Sequence, residues 1–307
     1  MKYFDLHCDT AYEIHRKKSS LLHNCGAVDI ERGLKFESYV QNFAIYIEDG
    51  LSPDESHKKF LQITQNLIAE IDENSDKITL CRSFLDINRA ISCKKIAAVL
   101  SIENAAALGD NAANLELAHN LGVCIVSLTW NGENNLASGC QKSGKIKPFG
   151  VKILQKMQNL NMILDISHLN REGFWHSFET FEGKIVATHS NVRAICDHSR
   201  NLDDNQICAI IKREGLIGLN LYPPFISGEE AAQWCDILKH AEHILKLGGA
   251  ENLSIGSDFD GADLDKKWDD LAKIPNVFNE FSKEFGVKIA QKIFYENACN
   301  FMKKSLI

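Results

Sequence analysis

The feature that most constrains the fold is a repeated alternation between short apolar runs and longer amphipathic stretches. Several runs are apolar at consecutive positions, which is typical of strands buried on both faces of a parallel sheet. Eight runs occur along the chain, at residues 3–6, 43–47, 97–102, 123–128, 162–166, 184–187, 216–221 and 253–256. The pattern therefore predicts eight buried strands.

The stretches between the runs indicate helices. Residues 56–71, 150–160 and 231–247 each place most of their apolar side chains on one helical face, and Gly248-Gly249 supplies a stop after the last. Eight strands alternating with helices in a chain of 307 residues predict an α/β fold, a (β/α)8 TIM-type barrel. Since no linker-like tract interrupts the pattern, we expect residues 1–307 to form one barrel domain.

Histidines and carboxylates cluster at the carboxyl ends of five of the eight runs. In a parallel barrel these ends meet at one mouth, where active sites are built. Two of the residues, His7 and Asp9, are two positions apart, so in a strand both side chains face the same way. The full set is His7 and Asp9, Glu103, Asp165 and His168, His189, and Asp258 with Asp260.

Three imidazoles and three carboxylates in one mouth are enough ligands for two metal ions. Imidazole and carboxylate groups suit zinc, and a catalytic zinc site keeps one position open for water. Each short motif is weak evidence alone, because an isolated Asp-x-Asp-Gly is more often a turn. Their joint occurrence at five strand ends predicts a metal centre.

A second pair of histidines lies on one predicted helix. His240 and His243 are three residues apart, a spacing that can bind metal. The neighbouring Lys239, Glu242 and Lys246 indicate a solvent-exposed face. We therefore expect no metal site on this helix.

Charge and composition exclude several classes of protein. The chain has 34 Lys plus Arg and 41 Asp plus Glu, a net charge of −7 without basic runs, so we expect neither nucleic acid nor a membrane surface as a partner. No run of 18 apolar residues and no secretory signal pattern is present. The ten cysteines lack C-x-x-C spacing and are expected as free thiols. These features favour a cytoplasmic protein.

As a set, the motifs resemble those of the membrane (renal) dipeptidase family, zinc peptidases of the amidohydrolase-type barrel superfamily. The resemblance runs in order along nearly the whole chain. It implies a single metal-dependent hydrolase barrel that binds two zinc ions, cleaves small free dipeptides and forms a homodimer. It is carried by His7-x-Asp9, Glu103, Asp165-x-Ser167-His168, His189-Ser190-Asn191, Arg200-Asn201 and Gly256-Ser257-Asp258-Phe259-Asp260-Gly261.

The resemblance also implies the ligand set of the two zinc ions. His7 and Asp9 would bind one ion. His168 and His189 would bind the other, and Glu103 would bridge the two. Two such ions about 3.5–4 Å apart lower the pKa of a shared water to near 7, so the implied nucleophile is a metal-bridged hydroxide.

Three further residues match family positions with other roles. Asp258 would be the catalytic acid/base, taking a proton from the water and passing it to the leaving amine. Arg200 would bind the terminal carboxylate of the substrate, because a guanidinium fork suits a carboxylate. Asp165 would hold either the ligand His168 or the barrel mouth in position.

One position departs from the family pattern. The family has a histidine at the end of the fourth strand, which contacts the oxyanion of the tetrahedral intermediate. Trp130 stands there, in Ser127-Leu128-Thr129-Trp130-Asn131. An indole N–H can donate a hydrogen bond but cannot accept one. Either Trp130 or Asn131 contacts the substrate in place of the histidine, or Trp130 is a packing residue and the substrate differs from the usual dipeptides.

Other functions stay compatible with these residues. A related amidohydrolase-type enzyme would act on N-acyl amino acids or on another small amide or ester, although Arg200 favours a substrate that carries a carboxylate. A barrel that keeps metal only as structure is opposed by Asp258 beside the complete ligand set. Iron or manganese would bind similar ligands. The substrate's side chains and its D/L preference are left open.

Overall fold

The computed structural model describes residues 1–306, in which nine strands pair in parallel. β4 is buried along its whole length, as the apolar runs predict. The strands are β1 (Lys2–Cys8), β2 (Ser38–Tyr46), β3 (Ile78–Leu80), β4 (Ile96–Glu103), β5 (Val123–Ser127), β6 (Ile163–Asp165), β7 (Ile185–Ala187), β8 (Leu216–Leu219) and β9 (Leu253–Ile255).

Eight of the nine strands form a closed ring. β1 pairs with β2 on one edge and with β9 on the other. The ring closes because β2 also pairs with β4. β3 pairs only with the first residues of β4. It lies along the same edge of β4 that pairs with β5 further along the strand. The predicted (β/α)8 barrel is confirmed, with β3 as an addition that the apolar runs did not reveal.

Helices connect the strands around the ring. The predicted helices 56–71, 150–160 and 231–247 correspond to α3, α6 and α10. The helices are α1 (Thr10–Lys17), α2 (Ile30–Gly33), α3 (Pro53–Glu73), α4 (Phe84–Ser92), α5 (Asn114–Leu121), α6 (Pro148–Asn159), α7 (Arg171–Thr180), α8 (Asp204–Lys212), α9 (Pro223–Ile226), α10 (Trp234–Lys246), α11 (Ile274–Phe285), α12 (Val287–Gln291) and α13 (Asn297–Ser305).

Local sequence explains where the longest helix begins. Ser52 accepts a hydrogen bond from the backbone N–H of Glu55, and the Glu55 carboxylate accepts one from the Ser52 N–H. This capping box satisfies two backbone donors that the helix itself leaves free. Pro53 follows at the first helical position, where its fixed φ is favourable. The helix therefore starts three residues before the predicted boundary.

The helices of residues 1–306 include none that is long and apolar enough to cross a bilayer. The longest, α3, carries charged and polar residues along its exposed side.

Candidate active site

The five predicted metal ligands converge at the mouth formed by the carboxyl ends of the strands. His7 lies in β1 and Asp9 follows it, while Glu103 is the last residue of β4. His168 and His189 follow β6 and β7. All five are at most 5% exposed. Groups of three or more ligating side chains within reach of one another occur, among residues 1–306, only at this mouth.

Three of these side chains form one half of the site. Nε2 of His7 lies 3.3 Å from a carboxylate oxygen of Asp9 and 3.4 Å from Oε2 of Glu103. His7 Nε2, Asp9 Oδ1 and Glu103 Oε2 are buried and make no hydrogen bond to another group of residues 1–306. Buried polar atoms nearly always have partners. Unpartnered nitrogen and oxygen atoms aimed at one point fit a cation.

The other half contains two imidazoles. Oε1 of Glu103 lies 2.9 Å from Nε2 of His168 and 3.9 Å from Nε2 of His189. The two Nε2 atoms are 2.7 Å apart. Burial lowers the pKa of both histidines, that of His168 to about 4. Both rings are therefore neutral at physiological pH, the form that binds a metal.

Glu103 faces both halves at once. One carboxylate oxygen points at His7 and the other at His168. Burial and the Glu103 carboxylate raise the pKa of Asp9, because like charges crowd together in a site closed to solvent. A pair of cations in the two halves would relieve this repulsion, so the residues present fit the dinuclear centre predicted from the sequence.

Neighbouring polar groups orient the imidazoles. Nδ1 of His168 lies 2.9 Å from Oδ1 of Asn131, which accepts its proton. Nδ1 of His189 lies 2.8 Å from the Thr188 hydroxyl, which in turn donates to Asp165 at 2.6 Å. These contacts fix the tautomers in which both Nε2 atoms offer lone pairs. Asp165 is therefore connected through Thr188 to His189, and its carboxylate makes no hydrogen bond to the His168 side chain.

Asp258 lies just beyond β9 and faces the same point. Its Oδ1 is 3.9 Å from Nε2 of His7, and its Oδ2 accepts a hydrogen bond from Asn220 at 2.9 Å. Burial raises the pKa of Asp258, and the Glu103 carboxylate adds to that effect. A carboxyl group with a raised pKa is suited to exchange protons near neutral pH. Asp258 and His168 both adopt positive φ, +64° and +69°.

Arg200 is a buried cation without a carboxylate partner. Its side chain is 4% exposed, and no acidic oxygen of residues 1–306 forms an ion pair with it. Nη2 donates to the His189 carbonyl at 3.1 Å, while Nε makes no hydrogen bond. The guanidinium lies 5.5 Å from the centre of the Phe225 ring. A buried charge is normally paired, so the arrangement is incomplete without an anion.

The ligands open into a cavity of about 410 Å³ with aromatic walls. Trp130 lines it, with its ring 5.3 Å from that of Tyr46 in an edge-to-face contact and 6.4 Å from that of His168. Asn131 also borders the cavity, but its side-chain oxygen is bound to His168. The other aromatic residues of the lining are Tyr12, Tyr222 and Phe225.

Three contributors to the site were absent from the sequence prediction. Thr188 connects Asp165 to His189, Asn220 holds Asp258, and Tyr46 stands beside Glu103. Asn220 gave a signal, since it is a polar residue inside the apolar run 216–221. Thr188 and Tyr46 gave none, because both residue types are ordinary at strand ends.

The histidine pair on α10 does not form a metal site. His240 is fully buried, so the expectation of an exposed face was wrong for this residue. Its Nδ1 accepts from the Val192 N–H at 3.0 Å, and its Nε2 donates to the Ile226 carbonyl at 2.9 Å. Flanking charges on a helix describe its outer side, whereas His240 faces the barrel. His243 lies 2.8 Å from Asp204.

Sequence comparisons connect the chain to known proteins. The profile of the membrane dipeptidase family (peptidase family M19) matches residues 1–305. A Klebsiella pneumoniae protein, described as an uncharacterized protein in the pqqA 5' region, is 28% identical over 256 residues, 79% of this chain and 93% of its own length. Dipeptidase aclJ of Aspergillus oryzae is 27% identical over 271 residues, 83% of this chain and 64% of its own length.

Two solved structures share the fold. Dipeptidase AC, a metallopeptidase of family M19, superposes with a TM-score of 0.94 at 22% identity and covers 100% of this chain and 99% of its own. A metallopeptidase from Rhodobacter sphaeroides, liganded with a phosphinate mimic of the dipeptide L-Ala-D-Ala, gives 0.93 at 21% identity and covers 99% of each chain. At these identities the likeness shows the barrel fold alone.

Proposed function

Because the chain belongs to the membrane dipeptidase family (peptidase family M19), it is a metal-dependent dipeptidase, and we propose that it cleaves free dipeptides with two zinc ions held at the barrel mouth. The observation that carries the proposal is the position of Glu103. Its two carboxylate oxygens face two separate groups of ligands, one around His7 and one around His168. A carboxylate shared in this way supports a dinuclear centre rather than a single ion.

His7 and Asp9 would hold one ion, His168 and His189 the other, and Glu103 both. When bound, two zinc ions supply an activated water at neutral pH and polarise the carbonyl group that is attacked. The chain's contribution is to fix the ligands in space. The contacts of Asn131 with His168 and of Thr188 with His189 support this role.

Asp258 would move the proton. Asn220 holds one of its carboxylate oxygens and leaves the other facing His7 and the cavity. That free oxygen would accept a proton from the attacking water and return it to the nitrogen of the leaving amine. The raised pKa of Asp258 supports the first half of this exchange, because it makes the carboxylate a better proton acceptor.

Arg200 would bind the substrate's C-terminal carboxylate. Nε has no partner, and no acidic group of residues 1–306 forms an ion pair with Arg200, which leaves the guanidinium available to an anion. A charge-assisted hydrogen bond at a buried site is among the stronger polar contacts. Phe225, against the guanidinium, would exclude water from this pair. The substrate is therefore expected to carry a free carboxylate next to the scissile bond.

A second candidate keeps the same mouth but changes the amine side of the substrate. Trp130 at the position of the family histidine favours it, because an altered oxyanion contact accompanies an altered substrate. An N-acyl amino acid would satisfy Arg200 equally well, since it also ends in a carboxylate. Another small amide or ester is a further form of this alternative.

The experiment that separates these functions is a substrate panel. Zinc-loaded protein is incubated with L,L- and L,D-dipeptides and with their N-acetylated forms, and released amino acids are counted with and without chelator. Chelator-sensitive cleavage of free dipeptides supports the proposal. Cleavage of the N-acylated compounds alone supports the second candidate, and failure to cleave any member of the panel would overturn both.

Metal identity, location and assembly complete the proposal. Zinc suits the imidazole and carboxylate ligands. A cytoplasmic location is supported by ten cysteines that are all free. A homodimer is supported by the family resemblance of the sequence. Metal analysis of purified protein, cell fractionation and analytical ultracentrifugation test these three points.

A further inference from the structure

Tyr46 stands beside the bridging carboxylate because of strand register. It is the last residue of β2, and it pairs directly with Glu103, the last residue of β4. Residues paired across neighbouring strands project their side chains from the same face of the sheet. Both residues line the cavity. The register therefore places the phenol next to the residue that would join the two metal ions.

The Tyr46 hydroxyl is free to act as a donor. It makes no hydrogen bond to another group of residues 1–306, although the side chain is only partly exposed. A phenol has an ordinary pKa of about 10. It therefore keeps its proton throughout the physiological range and can donate one hydrogen bond.

Two aromatic neighbours fix the direction of the ring. The ring of Tyr12 packs edge-to-face against that of Tyr46, with 5.2 Å between the ring centres. The ring of Trp130 packs against Tyr46 in the same way, with 5.3 Å between the ring centres. Such contacts are favourable geometries for aromatic pairs. A ring held between two others is preorganised, and a preorganised donor is what stabilises charge that develops in a transition state.

The other donor-bearing side chains around the ligands make contacts of their own. The Asn131 side-chain oxygen is bound to His168, which restricts the orientation of its amide. One terminal nitrogen of Arg200 donates to the His189 carbonyl. Trp130 occupies the place of the family histidine, and its ring packs against Tyr46. The hydroxyl of Tyr46 is an uncommitted donor that register brings beside Glu103.

We propose that Tyr46 is a catalytic residue whose hydroxyl donates a hydrogen bond to the scissile carbonyl oxygen as negative charge develops on it. The inference rests on the proposed dipeptidase function. Tyr46 transfers no proton, so the proton path through Asp258 is unchanged. Trp130 has the supporting role of holding the Tyr46 ring, and together they take the place of a histidine donor.

The test compares Tyr46→Phe with two matched variants of the zinc-loaded enzyme. Tyr12→Phe removes a neighbouring phenol of the same cavity, and Trp130→Phe removes the indole N–H but keeps an aromatic ring. Loss of one oxyanion donor reduces kcat by roughly 10²–10³-fold. We expect that loss for Tyr46→Phe with KM little changed, and far smaller losses for the other two variants.

A binding measurement separates transition-state stabilisation from general damage. A phosphinate dipeptide analogue, whose tetrahedral oxygens imitate the intermediate, should bind Tyr46→Phe more weakly by about the factor lost in kcat/KM. Binding of the product amino acid and the zinc content should stay as in the wild type. Replacing Trp130 by His in the Tyr46→Phe background should restore part of kcat, since it returns a donor at the family position.

Specific results would overturn the proposal. One is a kcat of Tyr46→Phe within about twofold of an active wild type. A second is equal binding of the phosphinate by Tyr46→Phe and the wild type. A third is a larger loss of kcat in Trp130→Phe than in Tyr46→Phe, which would assign the hydrogen-bond donor to the indole. If the wild type itself cleaves no dipeptide, the proposed function fails first and this inference fails with it.

Discussion

The side-chain oxygen of Asn131 lies 2.9 Å from Nδ1 of His168, and this contact decides which nitrogen of the ring is offered to a metal. The same oxygen also accepts from the Cys140 thiol at 3.2 Å. An acceptor at Nδ1 keeps the proton there and leaves a lone pair on Nε2. Asn131 would therefore act on a bound metal through His168, although its place in the sequence suggested substrate contact.

Removing this acceptor should weaken metal binding. Loss of a group that orients a ligand typically lowers affinity about 10- to 100-fold. We expect a loss of that size for Asn131→Ala, and little loss for Asn131→Asp, which keeps an acceptor oxygen. Competition with a chromophoric zinc chelator measures the affinity. Asn135→Ala, in the same loop but bonded to Gly109 and Asp110, is the control. Equal affinities in Asn131→Ala and wild type would show that the ring needs no such partner.

Arg200→Ala should raise KM for dipeptides and change kcat less. A hydrogen bond to a charged group contributes about 1.5–3 kcal/mol, which corresponds to roughly 10- to 100-fold in KM. The KM of Arg200→Lys should fall between those of the wild type and Arg200→Ala, because an ammonium keeps the charge but lacks the planar fork. The matched substrate is the same dipeptide with a C-terminal carboxamide. If the variant and the wild type differ equally on both substrates, Arg200 does not bind the carboxylate.

Asp258→Asn should separate metal binding from turnover. The amide cannot exchange a proton, and loss of a general acid–base residue costs about 10²–10⁴-fold in rate. Zinc content should stay at the wild-type level, since Asp258 lies 3.9 Å from His7 and outside the five-residue ligand set. Metal analysis and kcat on the same preparation decide the point. Substantial turnover with full zinc would remove Asp258 from the proton path.

His240 should make stability depend on pH. Burial is the main cause that lowers the pKa of His240 from 6.5 to about 4. Lys239 and His243 on the same helix lower this pKa further, whereas Asp236 raises it. The unfolded chain binds a proton below pH 6.5 and the folded chain does not until about pH 4. The contribution of the neutral His240 ring to the free energy of unfolding is therefore complete above pH 6.5. It declines by about 3 kcal/mol as the pH falls from 6.5 to about 4.

The measurement is the free energy of unfolding in urea at several pH values. The difference in the free energy of unfolding between the wild type and His240→Gln should shrink from pH 7 to pH 4, because the variant lacks the titrating group. A constant difference between His240→Gln and the wild type across the window would show that folding does not shift the pKa of this ring.

Strand patterning revealed the barrel because its signal is local. The run 97–102 is apolar at all but one position and became β4, and the run 253–256 became β9. The three residues of β3 were missed, since Ile78–Leu80 is too short to stand out from its surroundings. The proposed ligands were predictable for the same local reason, as each lies at the end of its own strand or within a few residues of it.

Relationships between distant strands could not be predicted in this way. Tyr46 and Glu103 are adjacent only through the register of β2 with β4, which depends on backbone pairing between segments far apart in the chain. The partner of Asp165 was likewise set by the neighbouring strand, where Thr188 intervenes before any imidazole is reached. A strand-end pattern identifies which residues meet but not which atoms bond.

The positive φ values of His168 and Asp258 bear on how this enzyme would be engineered. Left-handed backbone costs non-glycine residues roughly 1–2 kcal/mol each, and only the surrounding packing sustains it. Glycine would relax both positions but would remove a proposed metal ligand and a proposed proton carrier, so stability and activity conflict here. Selection for thermal tolerance should therefore gather substitutions at the opposite, amino-terminal end of the barrel, where strengthening the fold leaves the chemistry untouched.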